Sequence, residues 1–541
     1  MFWLPLALAA LFCAWGVVRT RDASPWRRWW IRVPVVTVAA MVVSWSFARG
    51  GTDLFPFDDS YISLAAARTF AEHGQIAVVK NRLLAGVTSP LHIVLTGALG
   101  LLLGVESAAR WISWIAFVMS ALGAGFLAER VARDARAFAW GAAFALFAGP
   151  TLYDVGSAME TAPFTALVVW TLLAFEDVST RRRGIIAGVL LGLTMLTRPE
   201  GALLAVAIFA VPLGRVAWTR DREAARAWLV PAIVACAVFA PYVVANLALT
   251  GHVLSPTVSA KAVFFRSGRL DWPNPVRLGD PLRVFLVGAE LFAVAGLAGL
   301  AFTRRRAELL FLMLFYASYL MRFDVALRHY RARYQHPLWI LAAVGAAALI
   351  VWIAKRRDGK TAARAVAAVA GIALMLATLQ TARVYRVYFR QDLGSTREFL
   401  MPMVRAVQDA MPKGFTVASH DVGALIYFSD RYVLDLVGLT DERIAKQLRE
   451  SDPSTAALGA VMATKKPYLL VVLRDWEQDF LQLTKFAPPG MYTLAWSSPA
   501  PNAATGAVYD IYRVRHNIVG LSPGAAAQMP PALAPSPVES P

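Results

Sequence analysis

The sequence predicts a polytopic α-helical membrane protein with a small soluble α/β domain at its C-terminal end. Hydrophobic residues make up 57% of the 541 residues, charged residues make up 17%, and the mean hydropathy is +0.51. Apolar runs that are long enough to cross the roughly 30 Å hydrocarbon core of a bilayer recur from the N-terminus to about residue 381. Beyond that point the pattern changes to short strands and helices.

The formal net charge of +18 is concentrated in basic clusters between the apolar runs. These clusters lie at residues 19–32, 130–136, 181–183, 215–226, 304–306 and 355–360. An excess of Lys and Arg in short loops marks the cytoplasmic side of a membrane protein. A nucleic-acid-binding protein would instead carry a basic stripe on a soluble face, so we expect no nucleic-acid partner.

The first apolar run, MFWLPLALAALFCAWGVV, has neither a charged leader nor an obvious small-residue cleavage site. We therefore expect a retained helix and not a signal peptide. Cys13 and Cys236 both lie in apolar runs, so the sequence contains neither a disulfide framework nor a CxxC metal site.

The crossings follow from placing the basic clusters in the cytoplasm. Residues 3–19 and 31–48 form a first hairpin, which puts the loop 49–87 on the outer side. Residues 109–128 then run inward, so the apolar segment 88–105 has no crossing to make, and we expect it to be interfacial or re-entrant. Nine further segments alternate in direction and bring the total to about 12 crossings. They are 137–150, 157–176, 184–197, 200–214, 228–248, 282–301, 307–321, 337–354 and 362–381.

The same alternation places the remainder of the chain outside. We expect a membrane domain over residues 1–381 and a soluble α/β domain over residues 382–518. In the latter, FTVASH, RYVLDL and YLLVVL are typical of short strands, and DERIAKQLRE and TAALGAVMATKK are typical of helices. The Pro- and Ala-rich tail, residues 519–541, is predicted to be disordered.

Two adjacent carboxylates, Asp58 and Asp59, begin a helical pattern that stops at Gly74. In one interpretation, one of the two caps the helix N-terminus, where free N–H groups and the helix dipole favour an acid. One carboxylate is sufficient for that purpose. Placing a charged side chain at hydrocarbon depth costs about 2.5–3.5 kcal/mol of insertion free energy. We therefore favour a functional role at the outer surface, where such a pair could deprotonate a hydroxyl or bind a cation.

Three loops with unusual polar content all fall on the outer side: 49–87, 249–280 and 322–336. Arg82, in the first, could hold an anion or could be a solvated interfacial arginine. Glu160 lies in the first turn of an inward helix, where an acid is an ordinary start signal. Arg198 and Glu200 flank Pro199 at a helix break. There they could form an ion pair with each other, or Arg198 could grip a phosphate.

The third of these loops is strongly cationic. Arg328, Arg331 and Arg333 lie on the side of the membrane where topology favours no cations, so an anionic ligand is the better explanation. His329 and His336 have no third ligand at metal spacing, so we do not expect zinc.

In the C-terminal domain, polar residues stand at the predicted strand ends: His420, Asp421, Asp435 and Asp441. Strand ends of α/β domains are frequent ligand sites, although polar turn residues are the commoner explanation. The sequence has no GxSxG motif, no P-loop and no GxGxxG followed by an acidic partner, so nucleotide chemistry has no support.

Five motifs in order, DDSYISLA, GVTSP, GSAMETAPF, LTRPEG and HDVGALIYF…VLDLVGLTD, resemble the GT-C class of membrane glycosyltransferases. More narrowly, they are similar to the group that contains the mycobacterial terminal β-(1→2)-arabinofuranosyltransferases and their bacterial relatives. The resemblance spans residues 50–441 and implies a GT-C-type fold in the inner membrane, with the C-terminal domain on the periplasmic side. It also implies an inverting transfer from a polyprenyl-phosphate sugar to a hydroxyl acceptor. The arabinose specificity of the mycobacterial members is not carried over.

The resemblance also implies roles for individual residues. The expected general base is Asp58 or Asp59, and whether a divalent cation binds to this pair stays open. The donor phosphate is expected to contact Arg198 and Arg333, with Arg82 as a third candidate. Residues expected to contact the substrates are Tyr61, Glu160, Glu200, His420 and Asp421. The expected partners are the bilayer, the lipid-linked sugar donor and an envelope glycan or glycolipid acceptor.

Two other functions compete with glycosyl transfer. A non-enzymatic binding or export component for a lipid-linked glycan would favour an inverted repeat or acid–base pairs at bilayer depth, and the sequence shows neither. A metal-dependent hydrolase would need a His/Asp ligand set, but the acid pair has no obvious histidine partner in the sequence.

Overall fold

The computed structural model describes residues 25–48, 53–219, 222–253, 255, 257–258, 260–261, 275–355, 360–429, 431–441, 443–444, 446, 454–485, 487–502 and 506–516. The chain divides into two units, Met1–Thr396 and Arg397–Pro541. The predicted first crossing, residues 3–19, and the predicted disordered tail, residues 519–541, lie outside the described residues.

The first unit is a helical bundle. Its helices are α1 Pro25–Ala48, α2 Asp58–His73, α3 Pro90–Leu103, α4 Val105–Ala132, α5 Arg136–Leu146, α6 Gly149–Ser157, α7 Thr161–Phe175, α8 Arg181–Thr197, α9 Glu200–Thr219, α10 Arg222–Thr250, α11 Pro275–Leu286, α12 Glu290–Phe302, α13 Arg306–Arg322, α14 Trp339–Ala354 and α15 Lys360–Ser395. Between α13 and α14 the chain forms short helical turns over residues 324–338.

The prediction of a multi-pass membrane protein is confirmed. In the described part of the chain, the helical stretches long and apolar enough to span a bilayer are Arg28–Ala48, Val105–Ala132, Arg226–Thr250, Asp324–Ala354 and Thr361–Ala410. A bent pair, Leu278–Leu286 and Glu290–Phe302, makes a sixth if it is counted as one span. Because this count rests on length and composition alone, the expected total of about 12 crossings stays a prediction.

Several predicted segments differ from the observed helices. The expected crossing 137–150 is divided between α5 and α6, because Ala148 takes an extended conformation with φ −69° and ψ 130°. The expected crossing 282–301 is bent by 101° where Val287 and Gly288 adopt positive φ values of 45° and 87°. At its end, α15 continues past the predicted domain boundary at residue 381 to Ser395.

The predicted non-crossing segment 88–105 is the helix α3. Its 14 residues span about 21 Å, which is shorter than the hydrocarbon core. It packs closely on α2, since a Cβ added to Gly97 would lie 2.7 Å from the carbonyl oxygen of Ala67. The position of α3 relative to the membrane stays a prediction.

Small residues let the helices of the bundle core approach each other closely. A Cβ at Gly299 would lie only 1.8 Å from the carbonyl oxygen of Gly345, so α12 and α14 meet backbone to backbone. Next to this contact, Phe292 stacks on the buried Trp339 with ring centroids 4.5 Å apart.

The second unit contains a five-stranded mixed sheet in the order β2-β1-β3-β5-β4. Its elements are α16 Met401–Ala410, β1 Thr416–Ser419, α17 Gly423–Phe428, β2 Tyr432–Asp435, α18 Ser454–Lys465, β3 Leu469–Leu473, β4 Tyr492–Ser497 and β5 Tyr509–Val514. The first three strands are parallel, and β5 is antiparallel to both β3 and β4. The three predicted strands and the helix TAALGAVMATKK are present, whereas DERIAKQLRE lies only partly within the described residues.

Candidate functional site

The acid pair occupies the first turn of α2. The N-cap position belongs to Phe57, which is extended with φ −129° and ψ 149° and makes no side-chain capping bond. The interpretation of Asp58 or Asp59 as the N-cap is therefore wrong, although the helix dipole still favours acids in this turn. The helix ends at Gly74 in the left-handed conformation (φ 67°), as predicted. Ser60 Oγ donates a hydrogen bond to the Ser157 carbonyl (2.8 Å) and fixes this turn to the bundle.

Asp59 forms an ion pair with Arg333, which is 274 residues away in sequence. Arg333 Nη2 donates to Asp59 Oδ2 at 2.6 Å, with 2% of the arginine side chain and 18% of the aspartate side chain exposed. Burial by itself raises the pKa of Asp59, but the charges of Arg333, Lys261 and His329 outweigh it and lower that pKa to about 2. Asp59 is therefore ionised at physiological pH.

Aromatic rings surround the Arg333 guanidinium. Its Cζ lies 5.1 Å from the ring centroid of Tyr330, 5.0 Å from that of Tyr334 and 6.0 Å from that of Phe57. Arg333 Nη1 contacts Met159 Sδ at 2.7 Å, while Nε has no hydrogen-bond partner among the described residues. A buried guanidinium N–H without an acceptor is uncommon, and it can receive a ligand oxygen.

The backbone immediately before Arg333 forms a left-handed turn, which we call the 330–332 turn. Tyr330, Arg331 and Ala332 have φ values of 45°, 58° and 63°, and none of them is glycine. Each such residue costs roughly 1–2 kcal/mol, so surrounding contacts must hold the turn in place.

Contacts from distant helices stabilise the 330–332 turn. Arg331 donates to both carboxylate oxygens of Asp392 on α15 (3.1 and 2.7 Å), and Tyr385 OH donates to the Arg331 carbonyl (3.2 Å). His336 Nε2 lies 3.0 Å from the same carbonyl, and its Nδ1 lies 2.7 Å from Asp154 Oδ1. These contacts fix the direction of the next side chain, Arg333.

Lys261 is a second cation at the site. Its Nζ donates to Tyr334 OH at 3.1 Å, and its charge acts on Asp59. Sequence analysis missed Lys261, and the available signal was only the polar character of the outer loop 249–280. Residues 262–274 of that loop are outside the described residues.

Arg198 also lies against the Tyr334 ring, with its Cζ 5.1 Å from the ring centroid. Its Nε and Nη2 donate to the two oxygens of Glu200 (3.3 and 2.8 Å), and Nη1 donates to Glu160 Oε1 (3.1 Å). Tyr319 OH donates to Glu200 Oε1 at 2.5 Å. Both residues of the predicted Arg198–Glu200 pair are therefore in contact, and Glu160 provides a second carboxylate.

The other predicted phosphate and substrate residues of the first unit lie elsewhere. Tyr61 is buried, and its hydroxyl accepts the Phe55 N–H (3.0 Å), which is a structural contact. Arg82 is half-buried in the segment between α2 and α3. Of the other arginines in the loop 322–336, Arg328 forms an ion pair with Asp280 (2.9 Å), and Arg331 stabilises the 330–332 turn through its ion pair with Asp392.

His420 and Asp421 follow β1 in the second unit. His420 Nε2 lies 3.3 Å from Asp421 Oδ2, its ring stacks on Trp476 with centroids 4.7 Å apart, and Tyr509 OH donates to Asp421 (2.5 Å). Asp435, at the end of β2, accepts three backbone N–H bonds of 2.6–2.9 Å, so it stabilises a turn.

The geometry does not fit a divalent cation at the acid pair. Asp59 Oδ2 faces the Arg333 guanidinium, and among the described residues no group of three or more His, Cys, Asp or Glu side chains could hold a metal ion.

Comparison with known proteins found one matching family model and several solved structures of similar fold. A family described as "Domain of unknown function (DUF8728)" matches residues 387–512, and no curated protein sequence matches the chain. The crystal structure of ArnT from Cupriavidus metallidurans in the apo state is similar, with a TM-score of 0.57 and 13% identity, over 90% of this chain and 99% of that chain.

Two ligand-bound structures are also similar. ArnT from Cupriavidus metallidurans bound to undecaprenyl phosphate has a TM-score of 0.52 and 13% identity over 91% of this chain and 99% of that chain. The oligosaccharyltransferase AglB from Archaeoglobus fulgidus, in complex with an inhibitory peptide and a dolichol-phosphate, has a TM-score of 0.54 and 14% identity over 92% and 76%. These similarities confirm a GT-C-type membrane fold, and the arabinofuranosyltransferase subgroup stays a prediction.

Proposed function

We propose that this protein is an integral-membrane glycosyltransferase of the bacterial inner membrane. It moves a sugar from a polyprenyl-phosphate donor to a hydroxyl of an envelope glycan acceptor, with inversion at the anomeric carbon. The observation that carries this proposal is the contact between Asp59 and Arg333, which sets a base next to a phosphate-binding group. Two proteins of similar fold bind undecaprenyl phosphate and dolichol-phosphate, which supports a lipid-linked donor.

The donor phosphate binds to Arg333 and Lys261. Together with Asp59 these residues carry a net charge of +1, which matches the single negative charge of a phosphodiester. Arg333 also has a buried Nε–H without an acceptor among the described residues, and guanidinium groups bind phosphate through two parallel hydrogen bonds.

Arg198 is a weaker candidate for the donor phosphate than the sequence suggested. Arg198, Glu160 and Glu200 together carry a net charge of −1, which repels an anion. The guanidinium is already engaged at Nε, Nη1 and Nη2. We therefore assign Arg198 to holding the break at Pro199 and the start of α7, and not to the phosphate.

Donor binding activates the base. With an anionic phosphate bound to Arg333, the positive charge that acts on Asp59 is partly balanced and Asp59 gains an anionic neighbour, so its pKa rises from about 2. A carboxylate of higher pKa takes a proton from the acceptor hydroxyl more readily. We assign Asp59 as the general base and Asp58, in the same turn, as a group that orients the acceptor.

The leaving group gains negative charge as the glycosidic C–O bond breaks. Arg333 therefore stabilises the transition state more strongly than the bound donor, so it acts on turnover as well as on affinity. The buried position of the guanidinium strengthens this effect, since little water competes for the charge.

The second unit binds the acceptor glycan on the periplasmic side. His420 and Asp421 lie at the carboxyl end of β1, between the two parallel neighbours β2 and β3, where α/β folds commonly bind ligands. Trp476, which is half-buried, adds an aromatic ring of the kind that sugars commonly contact.

The test is release of polyprenyl phosphate by the purified full-length protein. The donor pool is the lipid-linked sugar that co-purifies with the protein, identified by mass spectrometry, and the acceptor is a delipidated envelope glycan. We expect acceptor-dependent release by the wild type and loss of release in Asp59→Asn. A protein that binds the lipid-linked sugar but releases no polyprenyl phosphate would be the binding or export component, and our proposal would be wrong.

A further inference from the structure

A cationic cavity of about 760 Å³ lies in the first unit, away from Asp59 and Arg333. Among the described residues, six charged ones line it: Arg28, Arg32, Arg130, Arg133, Glu129 and Asp134. We call this feature the arginine cavity. None of these residues takes part in the proposed glycosyl transfer.

The arginine cavity lies at the opposite end of the bundle from the candidate site. Arg32 is near the start of α1, and Phe47 is near its end. The Phe47 ring contacts Phe389. Phe389 in turn contacts Tyr153, which contacts Phe57 beside the acid pair. About 22 Å of helix separates Arg32 from Phe47. A cavity at that distance from an outer-face site lies near the inner face of the bilayer.

Positive charge exceeds negative charge among the cavity-lining residues that the structure describes. Arg28 and Arg32 both donate to the single carboxylate of Glu129 (Arg28 Nη1 to Oε1, 2.9 Å), and Arg32 is only 1% exposed. Asp134, the other acid, is bound by Arg136 (2.8 Å) and Lys355 (3.3 Å), neither of which lines the cavity. Since both acids of the described lining are already bound by other cations, Arg130 and Arg133 add positive charge that an anion would balance.

One wall of the cavity is apolar. Trp29 stacks on Phe126 with ring centroids 4.5 Å apart, Trp29 is 42% exposed, and Leu173 belongs to the same lining. Tryptophan is typical of the interface between lipid headgroups and acyl chains. A free inorganic anion would leave this wall uncovered, whereas an amphiphile would cover it.

We propose that the arginine cavity binds the phosphate-bearing headgroup of an acidic phospholipid of the inner leaflet. The phosphate contacts the guanidiniums, and the glycerol and the first acyl carbons cover Trp29 and Phe126. Basic cavities between membrane helices at the cytoplasmic face are suited to such headgroups, since each cation near the surface favours an anionic lipid. The site is independent of the proposed glycosyl transfer.

The test compares two double variants of the full-length protein, each of which loses two positive charges at the same bundle end. Arg130→Gln with Arg133→Gln removes two cavity arginines, while the control, Arg181→Gln with Arg182→Gln, removes two exposed arginines at the start of α8. Binding of phosphatidylglycerol and of phosphatidylcholine is measured by native mass spectrometry, with inorganic phosphate as a separate arm.

We expect the wild type and the control to prefer phosphatidylglycerol, and we expect the cavity variant to bind it about 30-fold more weakly. Unchanged binding by the cavity variant would overturn the proposal. An equal loss in the control would also overturn it, because general surface charge would then explain the preference. Displacement of phosphatidylglycerol by millimolar inorganic phosphate would assign the cavity to the free ion and contradict the lipid.

Discussion

Two buried arginines lie against the Tyr334 ring, with Cζ atoms 5.0 and 5.1 Å from its centroid. Arg333 and Arg198 are 2% and 3% exposed, so burial does not distinguish them. Their partners do. Arg198 has two carboxylates and engages Nε, Nη1 and Nη2, whereas Arg333 has one partly exposed carboxylate and an Nε–H without an acceptor among the described residues. We therefore propose that unmet hydrogen-bonding capacity, more than positive charge, distinguishes Arg333 as the arginine that binds the donor.

The backbone shows the same contrast. Arg198 ends α8 in an ordinary extended conformation (φ −154°, ψ 147°), as expected for a residue before proline. Arg333 instead follows the strained 330–332 turn, which distant residues hold in place. Strain that the surrounding structure enforces is commonly found at functional sites.

The largest expected effect comes from the carboxylate paired with Arg333. Asp59→Asn keeps the shape and a hydrogen-bond acceptor but cannot take a proton, so turnover should fall by about 10²- to 10⁴-fold. The matched control is Glu200→Gln in the Arg198 group, which should lose far less. Initial rates of sugar transfer check both variants, with thermal unfolding to confirm that each is folded. A wild-type rate in Asp59→Asn would show that Asp59 is not the general base.

The second-largest effect is expected from substitution of Arg333 itself. Arg333→Lys keeps the charge and loses the two-pronged geometry, so we expect turnover to fall by about 10-fold, against about 10²- to 10³-fold for Arg333→Gln. Steady-state kinetics with varied donor should show lower turnover in addition to weaker donor binding. A change in donor affinity alone would mean that Arg333 binds the donor without stabilising the transition state.

For Arg198 we expect an effect on stability and not on chemistry. Arg198→Met leaves Glu160 and Glu200 buried without their cation, which should cost about 3–5 kcal/mol of stability. Adding Glu160→Gln and Glu200→Gln removes the unpaired charges, so the triple variant should recover most of this loss and keep turnover within about tenfold of the wild type. A well-folded triple variant without activity would show that Arg198 contributes to catalysis.

The smallest effect concerns pH. Because the pKa of Asp59 is lowered to about 2 in the folded protein, its ion pair contributes stability that is fully present above the unfolded pKa of about 3.9 and is lost as the pH falls towards 2. The wild type should therefore lose about 2 kcal/mol more than Asp59→Asn between pH 5 and pH 2. Urea unfolding in detergent at several pH values measures this difference, and parallel curves for the two proteins would contradict the shifted pKa.

Local features of the molecule were predictable from the sequence. The helix after the acid pair, its stop at Gly74, the break at Pro199 and the first three strands all depend on short-range signals such as glycine, proline and apolar periodicity. Asp59 and Arg333 were predictable as candidates because charge on the outer side needed a reason.

The contacts between residues that are far apart in the sequence were not predictable. The Arg333–Asp59 contact joins residues 274 positions apart, and the Tyr153–Asp392 contact joins residues 239 positions apart. The 330–332 turn carries no glycine or asparagine signal, because tertiary contacts and not local preference hold it. Lys261 lies in a polar loop and reaches the site only through the fold.

The most direct test of the account is the affinity of the purified protein for undecaprenyl phosphate, a product-like lipid that reports phosphate binding without chemistry. Titration followed by native mass spectrometry compares the wild type, Arg333→Gln and the triple variant at Arg198, Glu160 and Glu200. We expect Arg333→Gln to weaken binding by about 10- to 100-fold, the value of a lost charge-assisted hydrogen bond, and the triple variant to bind like the wild type. The reverse order, with binding retained in Arg333→Gln and lost in the folded triple variant, would contradict this expectation.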